Sequence, residues 1–466
     1  ALSSAASDVY KRQIYCGLMI LLASCNNYLD VKPKGKIIPE TAEDFSTIIH
    51  YWLDQIEKGR DDVIIPNPEV MTTLEMFADD LNATLASNFG YTSIYVGSAI
   101  NKNQATYKTL YSVIKDCNMV IGNMDDTESD LARTLLGTAW SIRSICYYNL
   151  MQRYCEPYQP ETAKETLGLP LVDDFDMEAK PARANLKETA EFIEEGFRKA
   201  LSYNVSNEDF IFTSSVTKAY FARFFFWTQN WSNAITYAKE VLEKYPMLEA
   251  DEYVEAINQK QAKAHNVIIR SFTMDDDIGT MSYATAQADI KSRPVDRNLV
   301  DLFAATDNDV RRRCNYDSKR IVNKIITTKF RSEELCLIIA EAHAHLNQET
   351  DALGYLNQLR SKRITQNYIA YTIDNLPEVF QQNIKTDATG IPLTKLMSAI
   401  LCERRKELFV EGDRWFELKR NGRPEFWVAA KGKKFITEKY LYTFPIPKAD
   451  IRLFPDLLIQ NPGYIE

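Results

Sequence analysis

Two stretches of this chain carry the same pattern: an amphipathic helix, a short turn and a second amphipathic helix, with small residues where the two must meet. The first is "FTSSVTKAYFARFFFWTQNWSNAITYAKEVLEKYP", residues 212–246. Thr213 and Ser214 can cap its start. Ala219, Tyr220 and Ala222 are followed by Trp231, Ala234, Tyr237 and Ala238, and Pro246 closes the pair. The second is "RSEELCLIIAEAHAHLNQETDALGYLNQLRSKR", residues 331–363. Its first helix shows Leu335, Ile338, Ile339, Ala342 and Leu346, and its second shows Ala352, Leu356 and Leu359. Apolar residues at three-to-four spacing mark one face of an α-helix. A helix with such a face must bury it against another element, so these runs demand a helical scaffold.

Three more runs share the period. "YKTLYSVIKDCNMVIGNM" (107–124) places Leu110, Ile114, Cys117 and Ile121 on one face. "ARTLLGTAWSIRSICYYNLMQRY" (132–154) is a second. "LKETAEFIEEGFRKALS" (186–202) has its acids early and Arg198 and Lys199 late, as the helix dipole favours. The two pairs resemble tetratricopeptide helix pairs. They lie far apart in the chain, so a simple tandem array is excluded. The expected fold is mainly α: an α/α superhelix of helix pairs with a loop-rich insertion carrying short strands. The period is lost over about 247–330 and about 58–106, which read as loops with a few strands. Loops on a rigid frame are where binding residues concentrate.

Residues 11–25, "KRQIYCGLMILLASC", join Lys11 and Arg12 to a short apolar run, Ile14 to Ala23. That run is too short to cross a bilayer and fits a secretory signal. Leu22-Ala23-Ser24-Cys25 resembles the bacterial lipoprotein signal. The resemblance implies that Cys25 is lipidated and becomes the mature N-terminus. Asn26 supplies no inner-membrane retention signal. Residues 1–10 read as a gene-assembly artefact, 1–24 as this start plus the signal, 25–40 as a lipidated tether, and 41–466 as a single domain. No later stretch is long and apolar enough to span a membrane.

Net charge is −9 with no long basic run, which argues against nucleic acid as a partner. The four histidines contain no H-E-x-x-H, and no G-x-S-x-G or Gly-rich phosphate loop occurs. The eight cysteines form no C-x-x-C and read as buried small hydrophobes. Adjacent acids occur at Asp79-Asp80, Asp125-Asp126, Asp173-Asp174 and Asp275-Asp276-Asp277. A glycosidase needs two carboxyls facing each other across a sugar, which neighbours in sequence do not supply. No catalytic constellation, metal site or cofactor is expected. Tyr 25, Phe 22 and Trp 6 suit both a large core and a surface that stacks on sugars.

The C-terminal part carries "ILCERRKELFVEGDRWFELKRNG", residues 400–422, and ends "FPIPKADIRLFPDLLIQNPGY", residues 444–464. Between the helical runs stands "GLPLVDDFDMEAKPARANLKETAEFI", residues 168–193. This ordered set resembles SusD/RagB-type nutrient-binding lipoproteins. The resemblance runs over residues 18–466 and rests on Glu403, Arg404, Arg405, Glu411, Gly412, Arg414, Trp415 and Phe416. It implies a surface-exposed outer-membrane lipoprotein, lipid-anchored and not an enzyme. Such a protein sits on a TonB-dependent, SusC-like transporter and binds oligosaccharide or polysaccharide, or in some members peptide. A secreted glycan-degrading enzyme is the less favoured alternative.

Physically, the signature reads as a helix, a bend at Gly412, and a return of Trp415, Phe416 and Leu418 to a core. Its acids Glu403, Glu407 and Glu411 are expected to pair with Arg404, Arg405 and Arg414. The near balance of charge marks it as structural rather than as an anion site. A sugar needs an aromatic platform for its C–H face and polar groups for its hydroxyls. The irregular regions offer Phe77, Asp79, Asp80, Tyr91 and Tyr95 in one, and Phe272, Tyr283 and Arg293 in the other.

Overall fold

Side-chain caps set several helix starts, although Thr213 makes no such bond to the helix that begins at Ser214. A computed structural model describes residues 39–58, 64–87, 95–102, 106–174, 180, 182–259, 264–271, 277–303, 308–430 and 432–464. Residues 1–38, with Cys25, the expected signal and nearly all of the expected tether, lie outside the described residues, as do Tyr91 and Phe272.

The helices are α1 (Ala42–Glu57), α2 (Pro68–Phe77), α3 (Thr106–Asn123), α4 (Asp130–Tyr154), α5 (Leu186–Ser202), α6 (Ser214–Trp227), α7 (Trp231–Lys244) and α8 (Ala250–Ile257). They continue with α9 (Asp277–Lys291), α10 (Arg297–Val300), α11 (Val310–Asn315), α12 (Ser332–His345), α13 (Glu349–Ser361), α14 (Lys395–Glu407), α15 (Arg414–Arg420) and α16 (Lys448–Leu453). Three antiparallel pairs of short strands join them: β1 (Leu167–Pro170) with β2 (Arg183–Asn185), β3 (Val267–Arg270) with β4 (Lys329–Arg331), and β5 (Phe426–Ala430) with β6 (Lys433–Thr437).

Thr41 and Asp44 form a reciprocal capping box at α1, which buries Phe45, Ile49, Leu53 and Ile56 along one face. Asn185 and Glu188 do the same for α5. Helix α4 is buried on almost all sides, as a helix at the centre of a stack must be. Both expected helix pairs form, as α6–α7 and α12–α13. Helices α3, α4, α5, α6, α7, α12 and α13 each pack on the next in that order, giving the mainly α, tetratricopeptide-like frame. Helix α7 meets α12 directly, so the segment between them is looped out of the stack. One contiguous core runs from Ala42 to Ile446. Cys117, Cys146, Cys155, Cys314 and Cys336 are buried, Cys402 is partly so, and all six are free thiols. Among the described residues no helix is long and apolar enough to cross a membrane.

The irregular regions are more helical than their composition suggests. The 247–330 segment contains α8, α9, α10 and α11 besides β3 and β4. Helix α9 buries Tyr283, Ala286 and Ile290, a helical spacing obscured by the Ser, Thr and Asp around it. The 58–106 segment contains α2, where Asn67 caps the helix and Pro68 starts it. Short 3-10 turns follow at Ala83–Leu85 and Gly97–Lys102.

Candidate ligand-binding face

Helix α14 ends at Glu407, the chain bends, and α15 begins at Arg414. Gly412 sits in the bend with φ +76, a conformation that disfavours a side chain. A Cβ there would lie 2.7 Å from the Met71 sulfur. Its N–H donates to Glu75 Oε1 at 2.7 Å. Trp415 is fully buried, stacked on Tyr442 at 4.4 Å between ring centroids and edge-on to Phe77 at 5.4 Å. Phe416 meets Trp227 edge-on at 6.3 Å.

The expected pairing within the signature is corrected by the structure. Glu403 accepts from Arg311 and from Lys406, each at 2.6 Å. Glu407 accepts from Arg363 and Arg331, each at 3.0 Å. Glu411 accepts from Lys324 at 2.6 Å and Arg331 at 2.8 Å. Arg404 donates to Asp413 at 2.8 Å. Arg405 donates to Asp80 at 2.6 Å, and Arg414 to Asp79 at 2.7 Å and Glu417 at 2.6 Å. Successive helical residues face different elements, so most partners come from distant segments rather than from the motif. Burial pushes the Glu407 carboxyl up, but Arg363, Arg331 and Arg311 outweigh it and hold its pKa well below the usual range. Glu403 is likewise buried, and Lys406 and Arg311 bring it down to about 2.

These arginines clamp the first irregular segment to the frame. Beyond Asp79 and Asp80, that segment runs against the second. Leu81 forms an antiparallel bridge with Val295. Asn82 N–H donates to Pro294 O at 2.8 Å, Asp296 N–H to Asp80 O at 2.7 Å, and Ser87 N–H to Ser292 O at 2.8 Å. The two irregular regions therefore meet along one seam.

The side chains expected to face a ligand there are taken up by the protein itself. Phe77 lies in the ring cluster with Trp415, Tyr95 and Phe444. Asp79 is held by Arg414 and by Asn383 Nδ2 at 2.8 Å. Asp80 is held by Arg405, and Tyr95 is buried against Phe77. Tyr283 is buried on α9 and its hydroxyl donates to Gln287 at 3.1 Å. Arg293 is wholly buried and donates to Met76 O at 2.7 Å. Sequence placed these residues in two segments that the fold brings together, but could not tell which side of each segment faces inward.

The exposed platform is elsewhere. In the β5–β6 hairpin, Trp427 pairs across from Ile436 and Ala429 from Lys434. Alternation puts these four on one face. Trp427 is 59% exposed and Ile436 43%. The Lys434 Nζ stands 5.1 Å from the Trp427 ring centroid. The opposite face is half-buried, with Phe426 packed against the core. The turn at Ala83–Leu85 packs on β5, and Gly97–Lys102 packs on β6. The approach is tight: a Cβ on Gly97 would lie 3.1 Å from Ile436 O. Leu85 adds a further exposed apolar side chain. The hairpin thus extends the seam of the two irregular regions with an open indole. Sequence reading missed Trp427 because it follows the signature, outside both regions. Its signal was the pair of short runs rich in aromatic and β-branched residues, "FWVAA" and "KKFIT", on either side of Lys-Gly.

An open cleft of 630 Å³ is lined instead by groups that include Asp54, Glu57, Thr213, Tyr245 and His265. Among the described residues no cluster of three or more His, Cys, Asp or Glu could hold a metal ion.

Comparison with known proteins agrees with this architecture. The sequence model of the SusD family matches residues 314–464. A SusD-like model described as starch-binding, associating with the outer membrane, matches residues 27–226. No curated protein matches the chain. A SusD superfamily protein of Bacteroides vulgatus is similar in structure, with TM-score 0.71 and 19% identity over 92% of this chain and 100% of that one. A SusD superfamily protein of Bacteroides thetaiotaomicron gives TM-score 0.69 and 17% identity over 91% and 100%. A laminarin-binding SusD-like protein gives TM-score 0.58 and 16% identity over 91% and 99%. At these identities the solved structures speak for the fold, while the two sequence models name the family on either side of the looped-out segment. The chain belongs to the SusD/RagB family.

Proposed function

We propose that this protein captures oligosaccharides at the cell surface and delivers them to a partner TonB-dependent, SusC-like outer-membrane transporter. It is anchored there by lipid on Cys25 and performs no chemistry on the glycan. The observation that carries the reading is the open indole of Trp427, set on a rigid hairpin beside the seam of two irregular regions. A flat indole held out to solvent is free to stack, and the C–H face of a sugar is a natural partner. Family membership and the laminarin-binding relative support a glycan as that partner. The outer-membrane description of the matching sequence model supports the location.

The test is calorimetric titration of the purified protein with a panel of glycans, followed by an assay for new reducing ends. Binding without cleavage is expected. Cleavage would make the protein an enzyme, and absence of binding across the panel would remove the proposal.

A further inference from the structure

The hairpin that carries Trp427 is also basic. Residues 430–435 read "AKGKKF", bringing Lys433 and Lys434 into the hairpin, and no acid occurs between Phe426 and Thr437, which Glu425 and Glu438 flank. The chain as a whole carries −9. Lys433 and Lys434 are exposed, and among the described residues neither makes an ion pair. Lys434 leans over the indole, which strips part of its water without supplying a counter-charge. A cation beside an open stacking ring, with no internal acid to satisfy it, is matched by a ligand that brings its own anion.

We propose that the outer face of the β5–β6 hairpin binds an acidic glycan, one bearing carboxylate or sulfate groups. Trp427 stacks on a sugar ring while Lys434, on the same face, meets the anionic group; Lys433, paired with Ala430 on the opposite face, adds only to the local positive field. This rests on the glycan-capture reading above and specifies its ligand class. A charge-assisted hydrogen bond to an ammonium is stronger than one to a neutral hydroxyl, so the lysines favour acidic over neutral sugars. The net charge of the whole chain acts in the opposite direction, repelling a polyanion at long range. Salt separates the two effects. If the local lysines dominate, affinity for an acidic glycan falls as salt rises. If the net charge dominates, affinity rises.

The experiment titrates the full chain with oligogalacturonate, with neutral laminari-oligosaccharides and with vesicles of phosphatidylcholine and phosphatidylglycerol, at low and physiological salt. It compares wild type, Trp427→Ala, and the double variant Lys433→Gln, Lys434→Gln, each checked for an unchanged thermal melt. Oligogalacturonate should bind more tightly than the neutral glycan. Its affinity should drop about 10-fold in the double lysine variant and should also drop as salt rises. Trp427→Ala should weaken it as well. Equal or tighter binding of the neutral glycan, with oligogalacturonate indifferent to the lysines, overturns the acidic-ligand inference and leaves glycan capture standing. Binding of neither glycan, at either salt, overturns both. Binding only to anionic lipid vesicles, lost in the double variant, makes the hairpin a membrane contact and overturns the inference.

Discussion

Arg405 and Asp80 stand 325 residues apart in the chain, yet Arg405 Nε donates to Asp80 Oδ1 at 2.6 Å with both side chains buried. Arg414 holds the neighbouring Asp79 in the same way. Burial raises the Asp79 carboxyl, but Arg414 and Arg405 prevail and keep its pKa well below the usual range. The signature thus fastens the first irregular segment to the helical frame. Asp80 runs on into the turn that packs on β5, and α15 leads into β5 itself. The clamp and the exposed indole belong to one assembly.

Replacing Arg405 by Ala removes the hydrogen-bonded partner of buried Asp80 and leaves it only Arg414, at 3.8 Å. Breaking a buried ion pair by removing one member costs about 3–5 kcal/mol. Urea denaturation should show a loss of that size, with the slope of the transition unchanged. A loss within the range of an ordinary surface substitution would show that the clamp is dispensable.

Gly412→Ala should destabilise by more than about 1 kcal/mol, since alanine is strained at positive φ and its Cβ would press on Met71. The measurement is the shift of the denaturation midpoint. An unchanged or raised midpoint would contradict the account of the bend.

Glu75 gives the fold a pH dependence. In an unfolded chain its carboxyl titrates near 4.5; in the fold, burial first and Asp80 second push it up to about 8. Between those values the native state holds the extra proton, so stability falls as pH rises through the window. Glu417, pushed up to about 7 chiefly by burial, acts with the same sign. Glu75→Gln keeps an acceptor for the Gly412 N–H and removes the titration. Its stability should decline less between about pH 4.5 and 8 than that of wild type, read from denaturation at several pH values. Parallel pH profiles would refute the assignment.

Cys25→Ala should abolish incorporation of labelled fatty acid and release the protein from the membrane fraction. Label retained in the variant would show that the anchor, if any, is placed elsewhere.

What the residues revealed depended on the range of the interaction. The helix pairs were legible because Leu335, Ile338 and Ala342, or Ala234 and Ala238, repeat at helical spacing within one segment. Helix α9 was not, since Tyr283, Ala286 and Ile290 are set among Ser, Thr and Asp. The signature could be recognised, but its pairing could not: the partners of Glu407 are Arg363 and Arg331, brought near only by the fold. Phe77 and Trp427 show the same limit at the surface. Both are aromatic residues near the seam, yet packing on Trp415, Tyr95 and Phe444 makes the first interior, while the hairpin leaves the second open.

The central claim is that Trp427 is the platform on which a glycan rests. Calorimetric titration of wild type and Trp427→Ala with whichever glycan binds wild type tests it most directly. An exposed residue contributes little to the fold, so the variant should melt within a few degrees of wild type. Its affinity should fall about 10-fold or more, as for a central aromatic contact. Glycan affinity unchanged in a well-folded Trp427→Ala variant would contradict the account.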